Sequence, residues 1–292
     1  MPRILRYLPL LGLLCCQSAR ADIVLRDDTQ AEVRLQAPAK RIISLAPHIT
    51  ELVYAAGAGD KLVGTVEFSN YPPAAEKLPR VGGYSRLDVE AIAALKPDLI
   101  LAWESGNAPA NLAQLRKLKI PVFVSQPDHI ADIARDLERY GELAGTRDIS
   151  TAAATKFRQR HAALQKQYAN RRPVRVFYQV WDQPLMTING HQIISDVIQL
   201  CGGQNIYANL AALAPTVSVE SVLSEDPEAI VAGGMGEKSP AWLEQWRHWP
   251  RLTATTKGNL FFVDPNLLQR HTPRLLDGAE LLCQQLEQAR KR

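Results

Sequence analysis

Short apolar runs alternate with amphipathic segments along most of the chain, and this alternation is the main sequence evidence for its fold. The stretch 82–107 shows both patterns side by side. Apolar residues recur at helical spacing between 91 and 95, and Pro97 ends that helix because the residue before a proline avoids helical angles. The unbroken apolar run at 98–102 then predicts a strand that is buried on both faces.

The same pattern continues on both sides of this stretch. In the first half we predict a hairpin at 22–35, strands at 41–45, 61–65 and 121–125, and helices at 47–57, 111–118 and 128–143. In the second half we predict strands at 174–180, 227–232 and 259–263, a short strand or hairpin at 185–188, and helices at 191–200, from 218, at 240–247 and at 273–291. Strands that alternate with helices of this length are typical of βαβ units and a parallel sheet.

Residues 146–170 interrupt the alternation with one continuous, polar-faced helical pattern, about 37 Å long at 1.5 Å per residue. We interpret this segment as a rigid helix that joins two lobes, and a long surface helix of one domain is the alternative. The predicted fold class is therefore α/β, with two Rossmann-like lobes joined by a single long helix. The predicted boundaries are 22–145 for the N-terminal lobe, 146–172 for the linking helix and 173–292 for the C-terminal lobe.

The first 21 residues have the composition of a secretory signal peptide. A basic end is followed by an apolar run at 8–16 and by an A-x-A cleavage site at 19–21, and the apolar run is too short to span a bilayer. Lipidation at Cys15 or Cys16 would need a small residue before the cysteine, whereas Leu14 and Cys15 stand there. We therefore predict cleavage after residue 21 and a periplasmic protein.

Removal of this signal changes the charge balance. The whole chain has 34 basic and 30 acidic residues, and without Arg3, Arg6 and Arg20 the remainder has 31 basic and 30 acidic residues. A nearly neutral protein gives no support to nucleic-acid binding.

Cys201 and Cys283 are the cysteines that remain after the signal is removed. In an oxidising compartment such a pair predicts one disulfide. Two separate buried thiols are the alternative.

Two aromatic residues flank the predicted strand at 98–102. Tyr84 lies in a glycine-marked loop ahead of the preceding helix, and Trp103 follows the strand directly. Because ligands in open α/β sheets bind at the carboxyl ends of strands, we expect Tyr84 and Trp103 to face one cleft. Glu90 is expected on the outside of the first helical turn.

The second lobe repeats the sequence around Glu90. The segment LDVE at 87–90 corresponds to VSVE at 217–220, and each glutamate starts a helix that leads into a buried strand. The helix dipole favours a glutamate in the first turn by about 0.3–1 kcal/mol, so this role alone would explain either residue. Two glutamates at matching positions, Glu90 and Glu220, suggest instead a pair of acidic side chains that are presented to a partner.

The chain shows no established catalytic motif. Residues 233–239 resemble a phosphate-binding loop in composition, but Glu237 separates the glycine from the lysine and the spacing is not met. Neither a nucleophile elbow nor an HExxH motif is present. His48 and His129 each follow a strand, but the histidines are scattered in sequence and a metal site would require a cluster. We therefore predict a binding protein with no catalytic residue, no metal site and no cofactor.

The chain resembles the class III periplasmic substrate-binding proteins of ABC importers, and among them the cobalamin-binding members. The segments that carry this resemblance are RIISLAPHITELVYAAGAGDKLVG, the YPP of the aromatic loop, VGGYSRLDVEAIAALKPDLILAW with the following GN, CGGQNI and TPRLL. The similarity runs from about Lys40 to the C-terminus. It implies two α/β lobes joined by one long helix, with the ligand in the cleft between them and little hinge motion.

The resemblance also implies roles for individual residues. The positions that touch the corrin in cobalamin-binding members correspond here to Phe68, Tyr84, Trp103, Gly106, Asn107, Met186, Asn266 and Arg270. Ala214 stands where those members have a tryptophan, and Trp181 could fill the same space. Glu90 and Glu220 match glutamates that meet arginines of the permease, and Cys201 and Cys283 match a disulfide.

The predicted function follows from these roles. A monomer binds cobalamin (vitamin B12) or a related corrinoid as a transported ligand and delivers it to an ABC importer permease through Glu90 and Glu220. Broad aromatic faces suit a large flat macrocycle. A haem- or ferric-siderophore-binding protein of the same class is the alternative, and for haem Tyr84 would be an axial ligand with His271 as a second.

Overall fold

The computed structural model describes residues 22–83, 86–234 and 241–292. The first half contains β1 (Ile23–Arg26), β2 (Glu32–Leu35), β3 (Ile42–Ser44), α1 (Pro47–Ala55), β4 (Leu62–Gly64), α2 (Val89–Ala94), β5 (Leu99–Trp103), α3 (Pro109–Lys117), β6 (Val122–Ser125), α4 (Ile130–Ala144) and α5 (Arg147–Tyr168). The second half contains β7 (Val174–Gln179), β8 (Trp181–Asp182), β9 (Leu185–Met186), α6 (Ile193–Leu200), β10 (Gly203–Asn205), α7 (Val219–Glu225), β11 (Ala229–Ala232), α8 (Thr253–Thr256), β12 (Leu260–Phe262), α9 (Pro265–Leu268) and α10 (Leu275–Lys291). The predicted signal at 1–21 and Tyr84 lie outside the described residues.

Each half of the chain builds one four-stranded parallel sheet. The strand order is β4-β3-β5-β6 in the first sheet and β10-β7-β11-β12 in the second. In register, Ile42 pairs with Leu99 in the first sheet, and Ile230 pairs with Phe177 in the second. The predicted α/β class with two lobes is confirmed.

The strands β5 and β11 are each buried on both faces, as their unbroken apolar runs require. In β5, Leu99 and Leu101 belong to one hydrophobic core, whereas Ile100 and Ala102 belong to another. Side chains of a strand point alternately to opposite faces of the sheet, so this division shows helices packed on both faces. The strand β11 is divided in the same way between two cores.

The helix α5 links the lobes and also packs between them. A short turn with Gly145 in the left-handed region (φ 71°) reverses the chain after α4, and the close approach of Gly141 to Ser150 brings α5 against α4. Ala154, Phe157 and Leu164 of α5 are buried in the core that continues into both lobes. The predicted helix is thus present at Arg147–Tyr168, and one of its faces is buried in the hydrophobic core.

Several predicted elements differ from the structure in type or extent. The segment predicted as a helix at 240–247 is described from residue 241 and forms a 3-10 helix at Ala241–His248. The strand β10 was not predicted, because Gly203–Asn205 contains no apolar residue. The predicted hairpin at 22–35 is confirmed by the antiparallel pairing of β1 with β2. Within the three described ranges, no helix combines the length and the apolarity that a membrane crossing needs.

A disulfide joins two helices of the C-terminal lobe. Cys201, which caps the C-terminus of α6, is bonded to Cys283 in the middle of α10. Both cysteines are fully buried. The bond encloses a loop with a sequence separation of 82 residues, so the predicted disulfide is confirmed.

Replacing both cysteines by serine should lower the free energy of unfolding. In the chain-entropy model a loop of this length contributes about 4 kcal/mol. Guanidinium denaturation of the oxidised protein, the reduced protein and the C201S/C283S variant measures the difference. Equal stability of all three would show that the disulfide contributes nothing to the fold.

Candidate ligand-binding site

The carboxyl edges of the two sheets meet at a cluster of three aromatic rings. His48 lies in the first turn of α1, directly after β3, and Trp103 ends the neighbouring strand β5. His271 reaches them from the other lobe, in the segment between α9 and α10. The ring centroids are 4.9 Å apart for His48 and Trp103, 5.1 Å for His48 and His271, and 5.8 Å for Trp103 and His271. All three pairs are edge-to-face, and we call this group the ring cluster.

Burial keeps both histidines of the ring cluster uncharged. His48 is 3% exposed and His271 is 4% exposed. Burial lowers the pKa of His48 well below its usual value, and the positive charge of Arg270 acts in the same direction. Burial also lowers the pKa of His271 to about 4. Both imidazoles are therefore neutral at pH 7.

The turn after β5 fixes the position of Trp103. The side-chain oxygen of Asn107 accepts a hydrogen bond from the Trp103 amide at 2.8 Å, and its nitrogen donates to the Leu45 carbonyl at 3.0 Å. A Cβ atom on Gly106 would lie 1.8 Å from the Trp103 ring, so only glycine leaves room for the indole there. Gly106 and Asn107 therefore fix the position of the Trp103 ring and backbone.

A buried carboxylate binds two arginines across the lobe junction. Glu51 of α1 has only 3% of its side chain exposed. It accepts hydrogen bonds from Arg270 at 2.7 Å and from Arg274 at 3.0 and 2.8 Å. Arg270 also donates to the Phe68 carbonyl at 3.1 Å, and the Arg274 guanidinium lies 3.7 Å above the centre of the Tyr71 ring. We call Glu51, Arg270 and Arg274 the interlobe clamp.

The remaining predicted ligand contacts lie in both lobes. Phe68 is 76% exposed on the N-terminal lobe. Trp181 and Met186 face each other as cross-strand partners in the β8–β9 hairpin, which follows the carboxyl end of β7. Asn266 lies in the first turn of α9 and donates its side-chain amide to Asp264 at 3.0 Å. Both lobes thus contribute apolar and polar groups, while Tyr84 falls outside the described residues.

The two predicted docking glutamates occupy equivalent positions in the two lobes. Glu90 follows the N-cap Asp88, which accepts a hydrogen bond from the Ala91 amide at 2.9 Å. Glu220 follows the N-cap Ser218, which accepts one from the Ser221 amide at 3.1 Å. Both glutamates are exposed. Hydrogen bonds from its own backbone amide and from Ser218 lower the pKa of Glu220.

Sequence reasoning missed much of the lobe junction. Glu51 lies within the predicted helix at 47–57 but received no role of its own, and Arg274 appeared only within the TPRLL segment. His48 was noted for its place after a strand, but nothing in the sequence pairs it with His271, more than two hundred residues away. Among the residues that the structure describes, no group of three or more His, Cys, Asp or Glu side chains could hold a metal ion.

Comparison with known proteins gives one consistent result. The sequence model of a family described as "Periplasmic binding protein" matches residues 42–267. The Vitamin B12-binding protein of Vibrio cholerae serotype O1 is 42% identical over 255 residues, which are 87% of this chain and 91% of that protein. The Vitamin B12-binding protein of Yersinia pestis is 42% identical over 252 residues, 85% of this chain and 86% of that protein.

Solved structures extend the comparison to three dimensions. The crystal structure of the periplasmic Vitamin B12 binding protein BtuF of Vibrio cholerae superimposes with a TM-score of 0.83 at 41% identity, covering 87% of this chain and 99% of that one. The periplasmic heme-binding protein BhuT, in complex with two hemes, superimposes with a TM-score of 0.77 at 20% identity, covering 87% of this chain and 99% of that one. The second match shows a shared fold and nothing further.

Replacing Glu51 by Gln should weaken the lobe junction, because it leaves two partly buried arginines without their carboxylate. We expect the free energy of unfolding to fall by roughly 3 kcal/mol. The exposed Glu76 is the matched control, and E76Q should stay within about 0.5 kcal/mol of the unaltered protein. Urea denaturation measures both, and equal stability of E51Q and E76Q would contradict a structural role for the interlobe clamp.

Proposed function

The chain belongs to the periplasmic binding protein family, and from this premise we propose that it captures cobalamin, or a related corrinoid, for delivery to an ABC importer. The observation that carries the proposal is the 42% identity to a Vitamin B12-binding protein across 87% of the chain. A haem-binding protein of the same fold shares far less of the sequence. Because the relatives are binding proteins, we propose that the protein acts as a carrier and that the corrinoid is its transported ligand.

We place the corrinoid in the cleft between the lobes. The exposed ring of Phe68 and the indole of Trp103 line one side, and Trp181 with Met186 lines the other. Large aromatic faces bury much area with little loss of conformational freedom, which suits a flat macrocycle. Asn266 and Arg270 would supply hydrogen bonds to its polar side groups, and Tyr84 would extend the aromatic wall.

Arg270 would have to divide its donors between the protein and the cargo. In the structure it bonds to Glu51 and to the Phe68 carbonyl. A guanidinium has five N–H donors, so it can keep Glu51 and still donate to a corrinoid side group. Gly106 and Asn107 would act on the cargo through Trp103, which they hold in place.

Export through the N-terminal signal is part of the same proposal. Relatives of this family work in the periplasm, and a cleavable segment at 1–21 would bring this chain there. The disulfide between Cys201 and Cys283 suits an oxidising compartment. We propose that the exported protein begins at Asp22 and is a monomer until it docks on the permease.

Calorimetric titration of residues 22–292 with cyanocobalamin, and in parallel with haemin, tests the cargo. We expect saturable binding of one cyanocobalamin per protein with a dissociation constant below micromolar, and weaker binding of haemin. Trp103→Ala should reduce cyanocobalamin affinity by about tenfold or more, since truncation of a buried aromatic anchor costs about 2 kcal/mol or more. Haemin binding without cyanocobalamin binding would reassign the cleft to haem.

The glutamates Glu90 and Glu220 are proposed as the docking contacts for arginines of the permease. Their first-turn positions, one per lobe, leave both side chains exposed at the surface. E90A/E220A should reduce uptake in a reconstituted importer by tenfold or more, while the dissociation constant for cyanocobalamin changes less than twofold. The control E76A/E244A removes an exposed glutamate from each lobe and should transport normally. Equal losses of binding and transport in E90A/E220A would contradict the docking assignment.

A further inference from the structure

Phe68 combines an exposed side chain with a strained backbone. The residue is 76% exposed, and its φ angle of 62° lies in the left-handed region, which bulky residues rarely adopt. A single exposed apolar side chain is ordinary on a protein surface. A bulky residue with a left-handed backbone is not, because this conformation costs free energy and persists only where the surrounding structure holds it. The conformation of Phe68 therefore depends on the contacts around it.

The next residue, Ser69, is fully buried and is anchored through its amide, its carbonyl and its hydroxyl. The amide donates to the Val66 carbonyl at 3.3 Å. The carbonyl accepts a hydrogen bond from Arg80 at 3.0 Å, and the hydroxyl accepts one from Thr50 at 3.1 Å. The backbone of Phe68 is thus held from its C-terminal side.

The bond from Thr50 to Ser69 belongs to a buried chain of hydroxyls. Ser44 ends β3 and Thr50 lies in α1, and both are as fully buried as Ser69. The hydroxyl oxygens of Ser44 and Thr50 are 2.6 Å apart. A hydroxyl offers one donor and two acceptor positions, so Thr50 can bond to both neighbours at once. The first sheet and α1 therefore hold the loop that carries Phe68 through side chains that are shielded from solvent.

A further contact reaches Phe68 from the C-terminal lobe. Arg270 donates to the Phe68 carbonyl at 3.1 Å, and the same carbonyl accepts from the Asn70 amide at 2.9 Å. Because Arg270 is itself bonded to the buried Glu51, its position is fixed as well. Both lobes thus hold the backbone of Phe68 while its ring stays exposed.

We propose that Thr50 and Ser69 are positioning residues for ligand binding, which hold the Phe68 ring in the orientation that contacts the corrinoid. This part of the cleft wall is then built before the ligand arrives, and the fold already compensates for the strain at Phe68. A wall that is built in advance reduces the ordering cost of binding. The inference rests on the proposed function, because it takes Phe68 as a contact of the corrinoid.

Stopped-flow measurement of cyanocobalamin binding tests the role of the two hydroxyls. Thr50→Val keeps the shape of the side chain, and Ser69→Ala removes the other partner of the same hydrogen bond. Once the loop is released, only a fraction of the molecules presents Phe68 correctly, and the apparent affinity falls by that fraction. We therefore expect the association rate constant to fall about fivefold in each variant. The dissociation rate constant should change by less than about twofold, because the bound complex is the same.

Further variants control this result. Thr50→Ser keeps the hydroxyl and should associate as the unaltered protein does. Ser150→Ala removes another fully buried hydroxyl, which bonds to the Arg147 carbonyl within α5, and should also bind normally. Thr50→Val added to Phe68→Ala should weaken binding no further than Phe68→Ala alone, because a positioning residue acts only through the ring that it positions.

Melting and hydrogen exchange test the loop itself without a ligand. Phe68→Gly should melt about 2 °C above Phe68→Ala, because glycine adopts a left-handed φ without strain. In the unaltered protein the Ser69 and Asn70 amides should be protected from exchange, since both are bonded to carbonyls of the loop. Circular dichroism checks that each variant is folded, and if the hydroxyl variants are unfolded, the melting and exchange results decide.

Several results would overturn the inference. One is an unchanged association rate constant in folded Thr50→Val and Ser69→Ala. Another is an equal loss of affinity from Thr50→Val with and without the Phe68 ring. The others are a Phe68→Gly variant that melts below Phe68→Ala, and exchange of the Ser69 and Asn70 amides at the rate of an unfolded chain. Failure of the unaltered protein to bind cyanocobalamin would instead remove the proposed function, while melting and exchange would still report whether the loop is built in advance.

Discussion

The junction between the lobes depends on one buried carboxylate. Glu51 stands at the carboxyl edge of the first sheet, and its two arginine partners come from the end of the second lobe. A carboxylate buried to this extent is stable only if it is paired and hydrogen-bonded, so the positions of Arg270 and Arg274 are set by the need to neutralise it. The two arginines also contact the Phe68 carbonyl and the Tyr71 ring, so the loop that carries these two residues is held at the same junction.

The two lobes hold their predicted ligand contacts in different ways. Trp103 is held in position because Asn107 accepts a hydrogen bond from its backbone amide and Gly106 leaves space for its ring. In the C-terminal lobe the short β8–β9 hairpin carries Trp181 and Met186. Two cross-strand pairs set its register, Trp181 with Met186 and Asp182 with Leu185.

The fold could be predicted from sequence because its signals are local. Each buried strand is an unbroken apolar run, each helix has its own periodicity, and the caps Asp88 and Ser218 act within three residues of their partners. The half-to-half correspondence of Glu90 and Glu220 followed from the same local patterns. The strand β10 was not predicted, because it is held by its pairing with β7 and has no local sequence signal of its own.

The site was only partly predictable because its decisive contacts are not local. Glu51 and Arg270 are 219 positions apart, and Glu51 and Arg274 are 223 apart. No periodicity or spacing reports such a pairing. Phe68, Asn107 and Arg270 were predicted as ligand contacts from a family resemblance. That resemblance indicated neither the hydrogen bond from the Trp103 amide to Asn107 nor the contact between His48 and His271.

X-ray diffraction from crystals grown with cyanocobalamin, with data collected at the cobalt absorption edge, tests the central claim most directly. The account predicts one strong anomalous peak per protein chain, located between the lobes, with Trp103 on one side and the β8–β9 hairpin on the other. A cobalt peak on an outer face of either lobe would contradict it, as would crystals that hold no cobalt under conditions in which the ligand is in excess.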